Sequence, residues 1–322
     1  MSSSAAPTLL LCSETDDLSG LCGAFEAAAA QACPGVQVVC WTPQTPAAVL
    51  DQVVAVAGWF VPVGLPARLP RLRLLASIGA GVEHLLRDPG LPSDLPVTRI
   101  VDPAQARGMA EYVLWAALHF HRDLDRVMAR QAHRQWRMPA QRPAAAYRVG
   151  VMGLGAMGAE VARTLAAHGF DVHGWTRRPQ SLPGVTCWAG DEALRPFLAG
   201  LDMVVSLLPL TPQTRGLFDA GWFAALRPGA VFVNCGRGEQ LVEPALLDAL
   251  RRGRLRGAVL DVFEHEPLPA DSPLWVEPGV LVTPHMASAA SDEAIAGQIV
   301  GDTARVLAGQ PPLHAVDRQR GY

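Results

Sequence analysis

The sequence predicts an α/β protein built from two doubly wound, parallel-sheet domains, and three observations carry that expectation. Short apolar runs alternate with helical, small-residue-rich stretches twice along the chain, the layout of a parallel sheet covered by helices. A glycine-rich turn of the form G-x-G-x-x-G opens the second series. At 322 residues, finally, the chain exceeds the size at which a single core usually serves, and its 50% hydrophobic content is enough for two.

The first series places strands at 8–12, 36–41, 53–59, 72–78 and 97–101, which fit one flavodoxin-like domain. Asp102-Pro103 is a helix start, and Met109, Val113, Leu114, Ala117, Leu118 and Leu124 then recur with helical spacing, so one long helix is expected from Pro103 to about Arg130. The basic, proline-containing and aperiodic stretch 131–147 reads as a linker or an arm. A second series follows, with strands at 148–152, 171–175, 202–208, 230–234, 256–261 and 280–283. The segment 288–307 again has helical spacing and is expected to return to the first domain. The resulting division is 1–102 with 287–322 for one domain and 103–286 for the other.

Composition excludes several classes of function. A net charge of −3 provides no basic footprint for a phosphate backbone or an anionic membrane, so neither nucleic acid nor membrane is an expected partner. The apolar stretches 201–210 and 229–235 are interrupted well before a bilayer could be spanned. The N-terminal run has neither a basic flank nor a small-residue cleavage signature, which points to a cytoplasmic protein. Cysteines at 12, 22, 33, 40, 187 and 235 form no CxxC pair and show no metal-site spacing, so they read as reduced core thiols and no metal is expected.

The G-x-G-x-x-G turn sits between an apolar strand and an amphipathic helix, the context that makes it a dinucleotide fingerprint and the second domain a Rossmann domain. Gly153 permits the tight turn, Gly155 lets the backbone approach a pyrophosphate, and Gly158 lets helix and strand pack closely. Ala156 and Met157 open the helix whose N–H groups face the phosphates. An acidic residue at the end of the next strand would hold a ribose 2′-hydroxyl; this chain instead reads Thr176-Arg177-Arg178. Two guanidiniums suit a 2′-phosphate, so NADP(H) is the expected cofactor, with NAD(H) the alternative.

Three later motifs fall at the C-terminal ends of expected strands, the edge where open α/β sheets bind ligands: Asn234-Cys235-Gly236-Arg237, Asp261 through Glu266-Pro267, and Thr283-Pro284-His285. One arginine, one glutamate and one histidine therefore converge beside the cofactor. Together with SIGAGVEHLL, AEYVLWAAL, GLGAMG, LLPLTPQTRGLF, VNCGRG, DVFEHEPLPADSPLW and VTPHMAS, these motifs resemble the D-isomer-specific 2-hydroxyacid dehydrogenase family along nearly the whole chain, nearest to its glyoxylate/hydroxypyruvate reductases of the bacterial A type.

The resemblance implies NADPH-dependent reduction of small 2-oxo acids such as glyoxylate and hydroxypyruvate. Arg237 would bind the substrate's carboxylate and 2-oxo oxygen, His285 would be the acid–base group, and Glu266 would orient the imidazole. Ala80 and Gly81 match the family loop whose amides hold the carboxylate, with Trp59 as a pocket wall or a packing residue. Leu208, Pro209 and Thr214 would lie beside the adenosine and ribose, Asp261 would face the nicotinamide amide, and Cys235 adjoins the same edge. Relatives exchange segments across a dimer, so a homodimer is implied, with Trp136 of the arm at the interface or reaching the partner's site. The alternatives are a dehydrogenase for a bulkier 2-hydroxy acid and a non-catalytic, dinucleotide-sensing corepressor of the same fold. A lysine-dependent 3-hydroxyacid dehydrogenase is disfavoured, because the cofactor half contains no lysine.

Overall fold

The computed structural model describes residues 6–318, 320 and 321; residues 1–5, with which the stretch read for a leader begins, lie outside the described residues. The chain forms two compact units, one made of the described residues up to Asp102 and from Ala290 onward, the other of Pro103–Ala289. The return to the first unit thus falls at Ala290 rather than at residue 287. Local bonds explain the shift: the Ala287 N–H donates to Asp261 and the Ser288 hydroxyl to the Gln105 carbonyl, which hold both residues in the second unit.

In the first unit β1 (Thr8–Ser13), β2 (Gln37–Cys40), β3 (Val53–Trp59), β4 (Leu74–Ser77) and β5 (Val97–Thr98) form a parallel sheet in the order β2-β1-β3-β4-β5, the flavodoxin-like order. Strand alternation sends Leu9 and Leu11 to one core with Phe25, and Leu10 and Cys12 to another with Val53 and Val56. Helices α1 (Cys22–Ala32), α2 (Ala47–Leu50) and α3 (Glu83–Leu86) belong to this unit. The start of α1 and the end of β2 are joined by a Cys22–Cys40 disulfide, which corrects the expectation that all six cysteines are reduced. Nothing in the linear spacing announces that pairing; the packing of α1 beside β2 creates it.

The second unit opens with α4 (Pro103–His121) and α5 (Leu124–Ala132) where one helix was expected. Asp123 breaks it with φ 56°, and the Arg256 guanidinium holds the break by pairing with Asp123 and Asp125, each at 2.5 Å. Neither proline nor glycine marks the position, so only the tertiary ion pair reveals it. The sheet comprises β6 (Arg148–Met152), β7 (Asp171–Thr176), β8 (Thr186–Ala189), β9 (Met203–Ser206), β10 (Ala230–Asn234), β11 (Leu255–Leu260) and β12 (Val280–Val282). All neighbours are parallel and the order is β12-β11-β10-β9-β6-β7-β8, the Rossmann arrangement with one added strand. Its chain order reverses between β6 and β9, the switch point at which such sheets bind dinucleotides.

Helices α6 (Ala156–Ala167), α7 (Leu194–Ala199), α8 (Ala220–Ala225) and α9 (Glu243–Arg251) cover this sheet, and α10 (Asp292–Leu307) returns to the first unit, packing on α1. Among the described residues no helix is long and apolar enough to cross a membrane.

Candidate active site

The glycine turn is built as its residue types require. Gly153 has φ +92°, a left-handed backbone that a side chain would strain. A Cβ on Gly158 would intrude on the Gly153 carbonyl, so helix α6 can start this close to β6 only with glycine there. Gly155 is the N-cap of α6; a Cβ there meets nothing within 4 Å, and no side chain caps the helix. The N–H groups of Gly155, Ala156 and Met157 thus begin a twelve-residue helix with a positive dipole end open for an anion. At the end of β7 the buried Thr176 hydroxyl donates to the Arg178 carbonyl at 2.6 Å, and the Arg177 and Arg178 side chains are exposed. A pyrophosphate at α6 and a 2′-phosphate at the arginine pair therefore fit the residues present.

The loop after β9 is held internally. The Thr214 hydroxyl donates to the Pro209 carbonyl at 2.7 Å, while the Gln240 amide donates to the Leu208 and Pro209 carbonyls at 3.2 and 3.0 Å. Gln240 also accepts from the Arg237 N–H at 3.1 Å, and Asn234 spans the same turn by donating to the Arg237 carbonyl. One fully buried amide thus ties the loop to the arginine. Sequence reasoning missed Gln240; its only signal is its place just after the G-R-G turn.

Glu266 and His285 meet at 2.7 Å between Oε2 and Nδ1. Burial alone would raise the Glu266 carboxyl, but its bonds from His285 and the Phe263 N–H, and the nearby His285 and Arg237 charges, pull it below the usual range. An ionised carboxylate can only accept, so His285 directs an Nδ1–H at Glu266 and leaves Nε2, protonated in the imidazolium and bare in the neutral ring, as the nitrogen for exchange. Arg237 itself donates from Nη1 to the Gly236 carbonyl at 2.7 Å. The three residues foreseen at strand ends lie after β10, β11 and β12, and the shift at Glu266 registers both of the other two.

Asp261 and Cys235 are both buried beneath this edge. Burial raises the Cys235 thiol well above its ordinary range, with the Asp261 charge adding to it, so it is an inert thiol in this setting. In the first unit Ala80 and Gly81 follow β4 in a loop whose Gly81 carbonyl accepts from the Ser77 hydroxyl at 2.7 Å. Trp59 packs on His84, with ring centroids 4.1 Å apart, and its ring fills the space beside Gly79.

The sequence profile of the family described as D-isomer specific 2-hydroxyacid dehydrogenase, NAD binding domain, matches residues 114–287. A glyoxylate/hydroxypyruvate reductase A from Serratia proteamaculans is 38% identical over 299 residues, 91% of this chain and 94% of that protein. A D-isomer specific 2-hydroxyacid dehydrogenase from Xanthobacter autotrophicus Py2, solved with NADPH and MES, superposes with a TM-score of 0.90 at 44% identity, covering 99% of this chain and all of that one. The NADPH-dependent glyoxylate/hydroxypyruvate reductase of Sinorhizobium meliloti, solved with NADP and sulfate, gives 0.89 at 38% identity, covering 98% of this chain and 100% of that one. The phosphate loop, the Arg–Glu–His edge and these likenesses agree: the chain belongs to the D-isomer specific 2-hydroxyacid dehydrogenase family and is an NAD(P)-dependent enzyme of that family.

Proposed function

We propose that this enzyme uses NADPH to reduce small 2-oxo acids, glyoxylate and hydroxypyruvate, to their 2-hydroxy acids. The observation that carries the reading is the Glu266–His285 pair, which leaves Nε2 as the proton donor at a strand-end edge shared with Arg237. NADPH rather than NADH is supported by the Arg177-Arg178 pair where an acidic residue would select NADH. The first relatives of the chain are reductases of that type.

With its pyrophosphate held at the Gly153–Gly158 turn, NADPH would supply the hydride that the substrate's 2-carbon accepts. Arg237 holds the substrate's carboxylate and 2-oxo oxygen with its planar fork. His285 gives the Nε2 proton to that oxygen, and Glu266 keeps the ring oriented and offsets its charge. Leu208, Pro209 and Thr214 would hold the adenosine and ribose, and Asp261 would hold the nicotinamide amide, with buried Cys235 at the same strand-end edge. In the first unit the N–H groups of Ala80 and Gly81 make no hydrogen bond within the chain among the described residues, which suits a carboxylate, with Trp59 bordering that loop. The enzyme works in the cytoplasm, and it does so as a homodimer, an assembly supported by the exposure of Met128 on α5 and of Trp136 and Met138 in the arm.

The test is a panel of 2-oxo acids followed by NADPH and NADH oxidation. Glyoxylate and hydroxypyruvate should be turned over with NADPH preferred. His285→Ala should lower kcat by about 10²–10⁴-fold, and Arg237→Ala should raise the KM of the acid. Alanine at both Arg177 and Arg178 should weaken NADPH far more than NADH. No turnover of any 2-oxo acid by the unaltered chain refutes the reading.

A further inference from the structure

His285 stands at φ +50°, a left-handed backbone that a non-glycine residue adopts only when its surroundings hold it there. Something must hold it there, and the bonds that do so converge on Asp261. The backbone carbonyl of Asp261 accepts from the His285 N–H at 2.9 Å. Its carboxylate accepts from the Met286 N–H at 2.9 Å through Oδ1 and from the Ala287 N–H at 3.0 Å through Oδ2. Asp261 is thus the template on which the catalytic histidine's turn is wound.

Asp261 is itself oriented from the side. The Thr283 hydroxyl donates to Asp261 Oδ1 at 2.6 Å, and the Tyr112 hydroxyl lies 2.6 Å from Thr283 Oγ1. Because the single Thr283 proton is committed to the carboxylate, Tyr112 is the donor in the outer bond. The direction of the whole chain is therefore set: Tyr112 O–H to Thr283 O–H to the Asp261 carboxylate, with each bond polarising the next. Burial raises the Tyr112 hydroxyl above its ordinary range, so Tyr112 keeps its proton near neutral pH.

From this geometry we infer that Tyr112 and Thr283 are positioning residues for proton transfer: they hold Asp261, and through it the backbone turn that aims the His285 ring. The inference rests on the reading of His285 as proton donor. It assigns α4, through Tyr112, a part in positioning the reacting histidine.

The experiment uses the full chain and three near-isosteric variants. In Tyr112→Phe, kcat should fall about threefold to tenfold, the cost of one hydrogen bond. Thr283→Val, which strips a donor from a buried carboxylate, should cost about tenfold or more. Thr283→Ser, which keeps the hydroxyl, restores kcat. A second reading is the NMR resonance of the His285 Nδ1 proton, assigned with His285→Gln: it should be sharp in the unaltered chain and in Thr283→Ser, but exchange-broadened in Thr283→Val. Wild-type kcat in both Tyr112→Phe and Thr283→Val overturns the inference, as does an equal loss in Thr283→Ser and Thr283→Val. If the unaltered chain reduces no 2-oxo acid, the reading of the reaction fails and the ring resonance alone decides: broadening in Thr283→Val supports the positioning role, and an unchanged signal refutes it.

Discussion

Glu266 shows how a single carboxylate is set by neighbours that lie far from it in sequence. Its carboxyl is only partly withdrawn from water, and the His285 ring, the Phe263 N–H and the Arg237 charge hold it below the ordinary carboxylate range. A group whose folded pKa is depressed contributes stability above its unfolded pKa and loses that contribution as pH falls through the folded value. The difference in melting temperature between the unaltered chain and Glu266→Gln should therefore be constant above about pH 5 and close on acidification below the carboxylate range. A difference that widens as pH falls contradicts the pairing. At this scale the placement of Arg237, Glu266 and His285 was legible in the sequence, because each lies in the short motif that follows an apolar run at a strand's C-terminal end. Tyr112 and Gln240 were not, since their roles arise from meetings across 171 residues in one case and 31 or 32 in the other.

Elements were legible wherever a period and a boundary residue coincided. Strands β3, β6 and β10 occupy the expected ranges 53–59, 148–152 and 230–234. Strand β8 went unread because it is four residues long and lies at the sheet edge, with an exposed first residue and no clean alternation. The turn joining β6 to α6 is a tight junction, and it separates two glycines by experiment. Gly158→Ala drives a Cβ into the Gly153 carbonyl and should destabilise by roughly 1–3 kcal/mol, read as a lower melting temperature. Gly155→Ala points into open space and should melt with the unaltered chain, but bind NADPH more weakly in a fluorescence titration because its methyl occupies the pyrophosphate's approach. Coincident melting of the Gly158 variant and the unaltered chain contradicts the packing account.

For the molecule as a whole, the arm after α5 is where the isolated chain is least self-sufficient. Trp136 is fully exposed and Met138 is 85% exposed, which is unusual for large apolar side chains in a chain that stays monomeric. Sedimentation velocity should give a dimer for the unaltered chain, and Trp136→Glu combined with Met138→Glu should shift it toward the monomer. A unaltered chain that sediments as a single copy at micromolar concentration contradicts the homodimer.

The sequence by itself determined the two parallel-sheet units, the phosphate turn with its arginine pair, and the three strand-end residues. All of these are encoded locally: hydrophobic period, glycine placement and residue type at a strand's end are read within about ten residues. The tertiary structure decided the break at Asp123, the Cys22–Cys40 pairing, the Gln240 tie between two loops, and the Tyr112–Thr283–Asp261 chain beneath His285. Each depends on which side chains the packed sheets and helices bring within 4 Å of one another, as when the Arg256 guanidinium reaches Asp123. Such meetings follow from the three-dimensional arrangement of elements and leave no periodic trace along the chain.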